Sequence, residues 1–305
     1  MAIKADYIWM DGQIIDFADA KVHFLTHSLH YANAVFEGTR AYKTENGMAI
    51  FRLQDHTKRL LESAKITAIT PPFSQKELED AQIELLRRNK FNSNTYIRPL
   101  IFLGDGIMGI YHAKAPVRVG IAAWEWGAYL GEEGLEKGIK VCCSSLMRNS
   151  TKANFNKAKA SANYLNSMMA KYEAINSGFE EALMCDEEGF IAEGTGECFF
   201  MVKNGVLITP PNDYALKSIT QDSVLKIAKD LGISVERRRI SRDEIYVCDE
   251  AFFTGTAAEI TPINSLDHRI IGNGSRGAMT KKIQDAFFDI VYGRNEKYAS
   301  WLTYI

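Results

Sequence analysis

Lys159 and Glu193 are residues of this chain whose side chains together could do covalent chemistry. A lysine amine can form a Schiff base with an aldehyde, and a carboxylate further along the chain can keep a pyridine nitrogen protonated. This is the minimum that pyridoxal 5′-phosphate requires, because the cofactor's ring must accept electrons from a substrate. This pair alone is weak evidence for such chemistry, because the chain has 36 lysines and arginines and 38 aspartates and glutamates. Groups for a phosphate and for a substrate carboxylate are needed as well.

Lys157 is an alternative to Lys159, two residues away. On an extended segment both side chains would face the same side, so their spacing leaves the choice open. The neighbours of Lys159, at positions 158 and 160–162, are alanine or serine. Such small residues would let a flat ring approach the backbone and desolvate the amine. The ordinary alternative is that both lysines lie on the surface.

Groups that could bind a phosphate occur at three places. Ser218, Ile219 and Thr220 come immediately before an expected helix, where N–H groups and hydroxyls would suit an anion. Thr256 and Ala257 follow an expected strand and add a second hydroxyl and further N–H donors. Arg59 could supply the cation. Taken singly, each is better explained as a helix cap, a turn or a solvated helix face.

A carboxylate site is indicated around Tyr96 and Arg98, whose side chains alternate to the same side of an expected strand. An arginine beside a tyrosine hydroxyl suits a substrate carboxylate. The alternative is an ion pair on an edge strand, which the following Pro99 would allow. Several aromatic side chains could line an apolar slot, although most aromatic residues simply fill cores: Phe36, Tyr31, Trp126 and Tyr129.

The composition is that of a globular protein, with 46% hydrophobic and 24% charged residues among 305. A net charge of -2 provides no electrostatic basis for binding nucleic acid. No apolar run is long enough to span a bilayer, so no membrane association is expected. The five cysteines include no Cys-x-x-Cys pair, which favours reduced thiols and a cytoplasmic location. The six histidines show no zinc-ligand spacing, and no metal site is expected.

Turn residues predict three β-hairpins. Asp11-Gly12, Asn46-Gly47 and Asn204-Gly205 each lie between short apolar runs and suit the positive φ angles of tight hairpin turns. The second hairpin is expected to use an unbroken strand over residues 35–42. Further strands are expected over residues 96–103 and 117–124.

Capping residues predict the helices. We expect a helix that opens at Asp55, and one that begins after Ser74, where Glu77 completes a capping box. Thr220 is expected to cap a helix that ends at Leu231, followed by Gly232. Ser241 and Glu244 form a second expected capping box.

Length and element order predict a two-domain α+β protein. The strands and helices show no βαβ alternation, which argues against a doubly wound sheet. Four glycines over residues 127–138 indicate a linker. The expected domains are therefore residues 1–126 and 139–305.

Four stretches together are recognisable: residues 30–38, 96–99, 126–130 and 255–262. Through them the chain resembles the branched-chain amino-acid aminotransferases of the class IV (fold type IV) pyridoxal-phosphate enzymes, almost from end to end. The resemblance implies a smaller α/β N-terminal domain and a larger cofactor-binding C-terminal domain with a pseudo-barrel of mixed strands. Neighbouring families, the D-amino-acid and (R)-amine transaminases, share that fold and are the alternative.

The resemblance also implies roles at the cofactor. Lys159 would attach to pyridoxal 5′-phosphate and carry a proton between the substrate Cα and the cofactor's C4′. Glu193 would bind the pyridine nitrogen, and Tyr164 the ring O3′. Four residues would hold the phosphate: Arg59, Ile219, Thr220 and Thr256.

At the substrate, the resemblance assigns the α-carboxylate to Tyr96 and to the backbone N–H groups of Thr256 and Ala257. Arg98 would bind the distal carboxylate of glutamate. The apolar slot would be formed by Phe36, Tyr31, Ile110, Trp126, Tyr129 and Tyr164. Tyr31 and Ile110 would enter from a neighbouring subunit, which implies a homodimer or a larger homo-oligomer.

The implied reaction passes the amino group of leucine, isoleucine or valine to 2-oxoglutarate. Some positions depart from the family pattern, at Ser161-Ala162, Cys198, Lys217-Ser218, Gln221 and Ala32. None of them removes a charged group from the expected site. A catalytically silent cofactor-binding protein is the remaining alternative, and a dehydrogenase is disfavoured because no Gly-x-Gly-x-x-Gly motif joins a strand to a helix.

Overall fold

The computed structural model describes residues 4–305, which form two compact units. The first contains the chain up to Gly127, together with the segments Lys157–Ala162 and Ile290–Ile305. The second contains Ala128–Asn156 and Asn163–Asp289. The chain therefore leaves the first unit and returns to it twice.

The sheet of the first unit is entirely antiparallel. The strands are β1 Tyr7–Met10, β2 Gln13–Asp16, β3 Ala34–Phe36, β4 Thr39–Thr44, β5 Gly47–Phe51, β6 Thr95–Leu103, β7 Val117–Glu125 and β17 Leu302–Tyr304. Their order across the sheet is β17-β5-β4-β6-β7-β1-β2, and β3 also pairs with β6.

One face of this sheet is covered by two amphipathic helices, α2 Leu53–Ile66 and α3 Gln75–Asn89, while the short helix α1 spans His27–Tyr31. The core between sheet and helices includes Leu60, Leu85 and Ile97, all fully buried. The capping box at Ser74 and Glu77 is confirmed, since each side chain accepts the other's backbone N–H. Helix α2 begins at Leu53, two residues before the expected Asp55.

The sheet of the second unit is mixed. The strands are β8 Ile139–Cys143, β9 Glu181–Cys185, β10 Ile191–Gly194, β11 Cys198–Lys203, β12 Val206–Thr209, β13 Val235–Arg237, β14 Glu250–Gly255, β15 Glu259–Leu266 and β16 Arg269–Ile270. Their order is β10-β9-β8-β15-β14-β11-β12-β13, with β16 paired to β15. The remaining helices are α4 Glu132–Lys137, α5 Tyr164–Asn176, α6 Ile219–Asp230, α7 Arg242–Ile245 and α8 Ala278–Val291. Short 3-10 turns lie at Phe17–Asp19, Ser161–Asn163 and Glu296–Trp301.

The predicted hairpins form, although the middle turn lies at residues 45–46 rather than at Asn46-Gly47, and of this predicted pair only Gly47 has a positive φ angle, 105°. Asp11 and Gly12 have φ angles of 49° and 96°, and Asn204 and Gly205 have 50° and 77°, as the tight turns require. The strand expected over residues 35–42 is broken, because β3 ends at Phe36 and β4 begins at Thr39. The break falls at Glu37, whose side chain is buried among charged partners described below.

Two capping predictions were wrong. Ser218, not Thr220, caps α6, because its side chain accepts the N–H of Gln221 at 3.1 Å. Ser241 forms no capping bond, because its hydroxyl donates to Asp243 instead. Gly232 follows α6 with φ 69°, as expected.

Parallel crossovers also occur where none was expected. Strands β8 and β9 run parallel with α5 between them, and β12 and β13 run parallel with α6 between them. The sheet remains mixed, so the α+β prediction holds. The stretch expected as a linker, residues 127–138, contains helix α4.

Within residues 4–305, no helix is both long and apolar enough to cross a membrane. The same residues contain no group of three or more histidine, cysteine, aspartate and glutamate side chains that could hold a metal ion.

Candidate active site

The segment that carries Lys159 is tied to the first unit by its backbone. The Lys159 N–H donates to Ser63 Oγ at 3.0 Å, and the Phe36 N–H donates to the Lys159 carbonyl at 3.0 Å. Ala160 forms a bridge with Val35. This segment was expected in the C-terminal domain, but these bonds to α2 and β3 join it to the first unit.

The structure distinguishes the two candidate lysines by burial. Lys157 is exposed, whereas Lys159 is partly buried between the buried residues Ala158 and Ala160. The Lys159 Nζ lies 5.1 Å from the centre of the Phe36 ring. Lys159 therefore has the more desolvated surroundings, as the small neighbours suggested.

Arg59 is held by a buried carboxylate that the sequence analysis did not assign. Its Nε and Nη2 donate to the two oxygens of Glu37 at 2.5 and 2.9 Å. His56 Nδ1 contacts the same carboxylate at 2.8 Å. Burial alone would raise the pKa of Glu37, but the charge of Arg59 and the His56 hydrogen bond hold it well below its usual range. Glu37 is therefore ionised at neutral pH.

His56 is neutral in this cluster. Its burial is the largest cause that lowers its pKa, and the charges of Arg59 and Lys159 lower it further, against the raising effect of Glu37. His56, Arg59 and Ser63 recur at spacings of three and four, which places them on one face of α2. That spacing is the signal by which the sequence could have found the cluster.

Gly38 is required by the tyrosine next to it. A Cβ at this position would lie 1.8 Å from the Tyr96 hydroxyl, closer than any side-chain contact allows. Tyr96 in turn packs edge-on against Trp126, with ring centres 5.0 Å apart. The Phe36-Glu37-Gly38 stretch thus supplies three separate contacts, to Lys159, Arg59 and Tyr96.

Arg98 lies among aromatic rings. Its guanidinium carbon is 4.6 Å from the Phe36 ring centre and 5.3 Å from that of Tyr96. Arg98 Nη2 donates to the Tyr96 hydroxyl at 3.2 Å. The Arg98 Nε is buried and has no hydrogen-bond partner among the described residues. Arg98 also reaches a cavity of about 370 Å³ in the first unit, and is the one charged residue among the described residues that line it. An orphaned buried donor of this kind suits a carboxylate.

Tyr31 and Ile110 lie on the surface of the first unit, with Ile110 90% exposed. Their segments are joined by His27, whose ring is 4.6 Å from that of Tyr31 and whose Nε2 contacts the Gly109 carbonyl at 2.8 Å. His27 was not anticipated from the sequence.

In the second unit, Glu193 lies on β10 and is paired with Arg148. The Arg148 Nε donates to its carboxylate at 2.5 Å, and both side chains are buried. Arg148 Nη1 also donates to Ser167 Oγ on α5 at 3.0 Å. Arg148 thereby joins Glu193 to the helix that begins with Tyr164. Arg148 was not anticipated from the sequence, because it lies 45 residues from its partner.

Two more carboxylates accompany Glu193. Glu181 is fully buried, contacts Lys171 Nζ at 2.6 Å and accepts the Thr195 hydroxyl at 2.8 Å. Burial, and then the charge of Glu181, raise the pKa of Glu197 to about 8. Glu197 is therefore mostly protonated at neutral pH. Tyr129, also in this unit, has its ring centre 5.8 Å from Lys171 Nζ.

The expected phosphate residues of the second unit lie on two elements that pack together, α6 and β14. Ile219 and Thr220 form the first turn of α6. Thr256 and Ala257 form the turn between β14 and β15. Helix starts and turns of this kind present backbone N–H groups that suit an anion.

The sequence profile of the family described as amino-transferase class IV matches residues 34–266. The chain belongs to this family. The match spans the Lys159 segment, Arg59 and Glu193, so both parts of the candidate site lie within it.

Relatives of this aminotransferase chain match it over its full length. It is 48% identical to a branched-chain-amino-acid aminotransferase of Pseudomonas aeruginosa, over 100% of the chain and 99% of the relative. It is 46% identical to one of Escherichia coli strain K12, over 98% of the chain and 97% of the relative. The structure of the T.th. branched-chain amino acid aminotransferase with pyridoxamine 5′-phosphate matches with a TM-score of 0.96 and 46% identity, over 99% of both chains. The fold type IV architecture is therefore confirmed.

We expect Gly38→Ala to weaken substrate binding in this aminotransferase, because the added methyl group must displace the Tyr96 hydroxyl. The expected hydrogen bond between Tyr96 and the substrate carboxylate would then be lost. The KM for the amino acid should rise by about tenfold, because that is the usual effect of losing one hydrogen bond to a charged group. Steady-state kinetics would measure this. Gly120→Ala is the matched control, since its Cβ would meet only Met10 Cε at 3.7 Å. Equal KM values for the two variants would contradict the role of Gly38.

Proposed function

We propose that this chain catalyses the reversible transfer of an amino group from leucine, isoleucine or valine to 2-oxoglutarate, with pyridoxal 5′-phosphate as its cofactor. The observation that carries the proposal is the partly buried Lys159, held by β3 and by α2, the helix that also carries Arg59. The chain also matches branched-chain aminotransferases from end to end. Two structures of the T.th. aminotransferase were determined with N-(5′-phosphopyridoxyl)-L-glutamate and with 4-methylvaleric acid. These ligands represent the two kinds of side chain that the proposed reaction requires.

The described residues fit this cofactor. When bound, pyridoxal 5′-phosphate supplies a conjugated ring that accepts the electron pair left at the substrate Cα. Glu193 would hold the proton on the pyridine nitrogen, and its pairing with Arg148 would stabilise its negative charge. Tyr164 would bind the ring O3′. Arg59, the N–H groups of Ile219, Thr220 and Thr256, and the hydroxyls of the two threonines would bind the phosphate.

Lys159 has two tasks in this proposal. Its amine would hold the cofactor covalently, and as a free amine it would carry a proton between the substrate Cα and the cofactor's C4′. A lysine suits this second task when its surroundings are partly desolvated, because the neutral amine is then easier to form. The partial burial of Lys159 supports that assignment.

In the proposed reaction, one pocket must accept the apolar side chain of leucine, isoleucine or valine and the acidic side chain of glutamate in turn. Phe36 and Trp126 offer apolar surface, and Arg98, with its orphaned Nε, would bind the distal carboxylate of glutamate. Tyr96 and the N–H groups of Thr256 and Ala257 would take the α-carboxylate. Discrimination among leucine, isoleucine and valine should be modest, since one methylene in an apolar pocket changes binding by only ~1–3 kcal/mol.

Exposed apolar residues support a homo-oligomer. Leu165, Met168 and Tyr172 form a stripe on α5 and are between 58% and 66% exposed. Tyr31 and Ile110 lie on the surface of the first unit, where they could enter the site of a neighbouring copy. We infer that copies of this chain associate as dimers or larger assemblies.

Substitution of Lys159 tests the proposed function directly. Lys159→Ala should abolish covalent attachment of the cofactor and lower the transamination rate by about 10²–10⁴-fold or more. Lys157→Ala is the control and should leave both unchanged. Borohydride reduction followed by peptide mapping would locate the adduct. An adduct at residue 157, or none, would end the proposal.

Arg98→Met should separate the two substrate classes. Loss of the guanidinium should lower kcat/KM for glutamate by about tenfold to a hundredfold, because a charge-assisted hydrogen bond is lost. The value for L-leucine should change much less. Initial rates with L-leucine, L-glutamate and D-alanine would measure this, and preference for D-alanine would instead indicate a D-amino-acid transaminase. An equal decrease in kcat/KM for both L-substrates would show that Arg98 does not bind the distal carboxylate of glutamate.

A substitution in the apolar stripe of α5 tests whether copies of this chain associate. Tyr172→Glu places a charge in the exposed apolar stripe of α5 and should reduce the molar mass measured by light scattering. Val247→Glu, at an exposed position away from α5, should leave that mass unchanged. A monomeric mass for the unaltered protein would refute the inference.

A further inference from the structure

We propose that Glu37 and His56 are positioning residues that hold Arg59 in the orientation in which it binds the cofactor's phosphate. The inference rests on the proposed role of Arg59 and goes one step further, since it assigns a task to two residues that themselves need touch no ligand. Its basis is the contact between a buried carboxylate and one edge of a guanidinium group.

The geometry restricts the Arg59 side chain strongly. Nε and Nη2 lie on the same edge of the planar guanidinium, and both donate to Glu37. The group can then neither rotate about its last bond nor swing away without breaking two hydrogen bonds at once. The Nη1 edge points away from Glu37 as a consequence. An unrestrained arginine side chain would lose considerable rotamer freedom on binding a phosphate.

Glu37 is itself fixed on every side. It is completely buried, and its own N–H donates to the Pro99 carbonyl at 2.9 Å. Its Oε2 also accepts the Gly38 N–H at 3.2 Å. The carboxylate is thus anchored to the sheet of the first unit, at the break between β3 and β4. The break in the strand that the sequence analysis expected to be continuous serves this placement.

His56 completes the arrangement from the helix side. It is 1% exposed and contacts Glu37 Oε2 through Nδ1, one helical turn before Arg59. A neutral His56 donates this hydrogen bond without adding charge. Glu37 and Arg59 then sum to zero charge, so the pair offers a phosphate oriented N–H donors and little net attraction.

Because Glu37 and Arg59 have no net charge together, a change in affinity for pyridoxal 5′-phosphate can distinguish orientation from net charge by its direction. Glu37→Gln removes one negative charge. If Arg59 attracted phosphate only through net charge, the variant would bind pyridoxal 5′-phosphate more tightly. If orientation matters, as we propose, the variant binds it more weakly, because the two-point contact with Arg59 is lost.

The experiment measures the dissociation constants of pyridoxal 5′-phosphate and of pyridoxal, which lacks the phosphate, for the full-length apoprotein. We expect Glu37→Gln to weaken binding of pyridoxal 5′-phosphate by about tenfold to a hundredfold. Binding of pyridoxal should change by less than about twofold, because no phosphate is involved. Asp55→Asn is the matched control, since it breaks the Arg52–Asp55 pair on the same helix and should change neither constant.

A second pair of variants covers the case in which Glu37→Gln does not fold. Asn can place an N–H donor close to that of His Nδ1, so His56→Asn should retain the affinity for pyridoxal 5′-phosphate. His56→Leu removes the donor and should lower that affinity but leave the affinity for pyridoxal unchanged. Equal effects of the two His56 variants, or equal losses for both ligands, would overturn the inference.

Arg59→Leu distinguishes failure of this inference from failure of the proposed function. If Arg59→Leu weakens only pyridoxal 5′-phosphate but Glu37→Gln does not, Arg59 binds phosphate without the proposed support. If Arg59→Leu leaves the ratio of the two constants unchanged, the role of Arg59 itself is wrong. In the combined variant Glu37→Gln/Arg59→Leu, the losses should be less than additive, because both changes remove the same contact.

Discussion

The first unit depends on the buried negative charge of Glu37. A carboxylate without solvent is strongly unfavourable unless it is paired and hydrogen-bonded. Here Arg59, His56 and the Gly38 N–H satisfy it together. That requirement places α2 against the end of β3, and the same helix then holds the Lys159 backbone through Ser63. The position of the Lys159 backbone therefore follows from how one buried charge is compensated.

The second unit shows the same principle with a different outcome. Glu193 is paired with Arg148, and Glu181 is paired with Lys171. Burial, reinforced by the charge of Glu181, raises the pKa of Glu197 to about 8, so this third carboxylate stays protonated at neutral pH. Three carboxylates can share a dry region because two have cations and one keeps its proton.

Local signals in the sequence were reliable where local geometry decides the structure. The turns at Asp11-Gly12 and Asn204-Gly205 and the capping box at Ser74 formed as predicted, because their preferences involve residues within a few positions. The choice between Ser218 and Thr220 as the cap of α6 could not be made this way, since both hydroxyls suit it and only hydrogen-bond geometry selects one. The choice between Lys157 and Lys159 likewise needed burial, which spacing does not reveal.

The family, the hairpins and the residue types available for cofactor chemistry can all be inferred from the amino-acid sequence. Which carboxylate pairs with which cation becomes known only once the chain has folded. Arg59 lies 22 residues from Glu37, and Arg148 lies 45 residues from Glu193. With 36 cations and 38 anions in the chain, separations of this kind carry no pairing information. Strand pairing and helix packing brought these charges together, and the need to compensate buried charge made each pair specific.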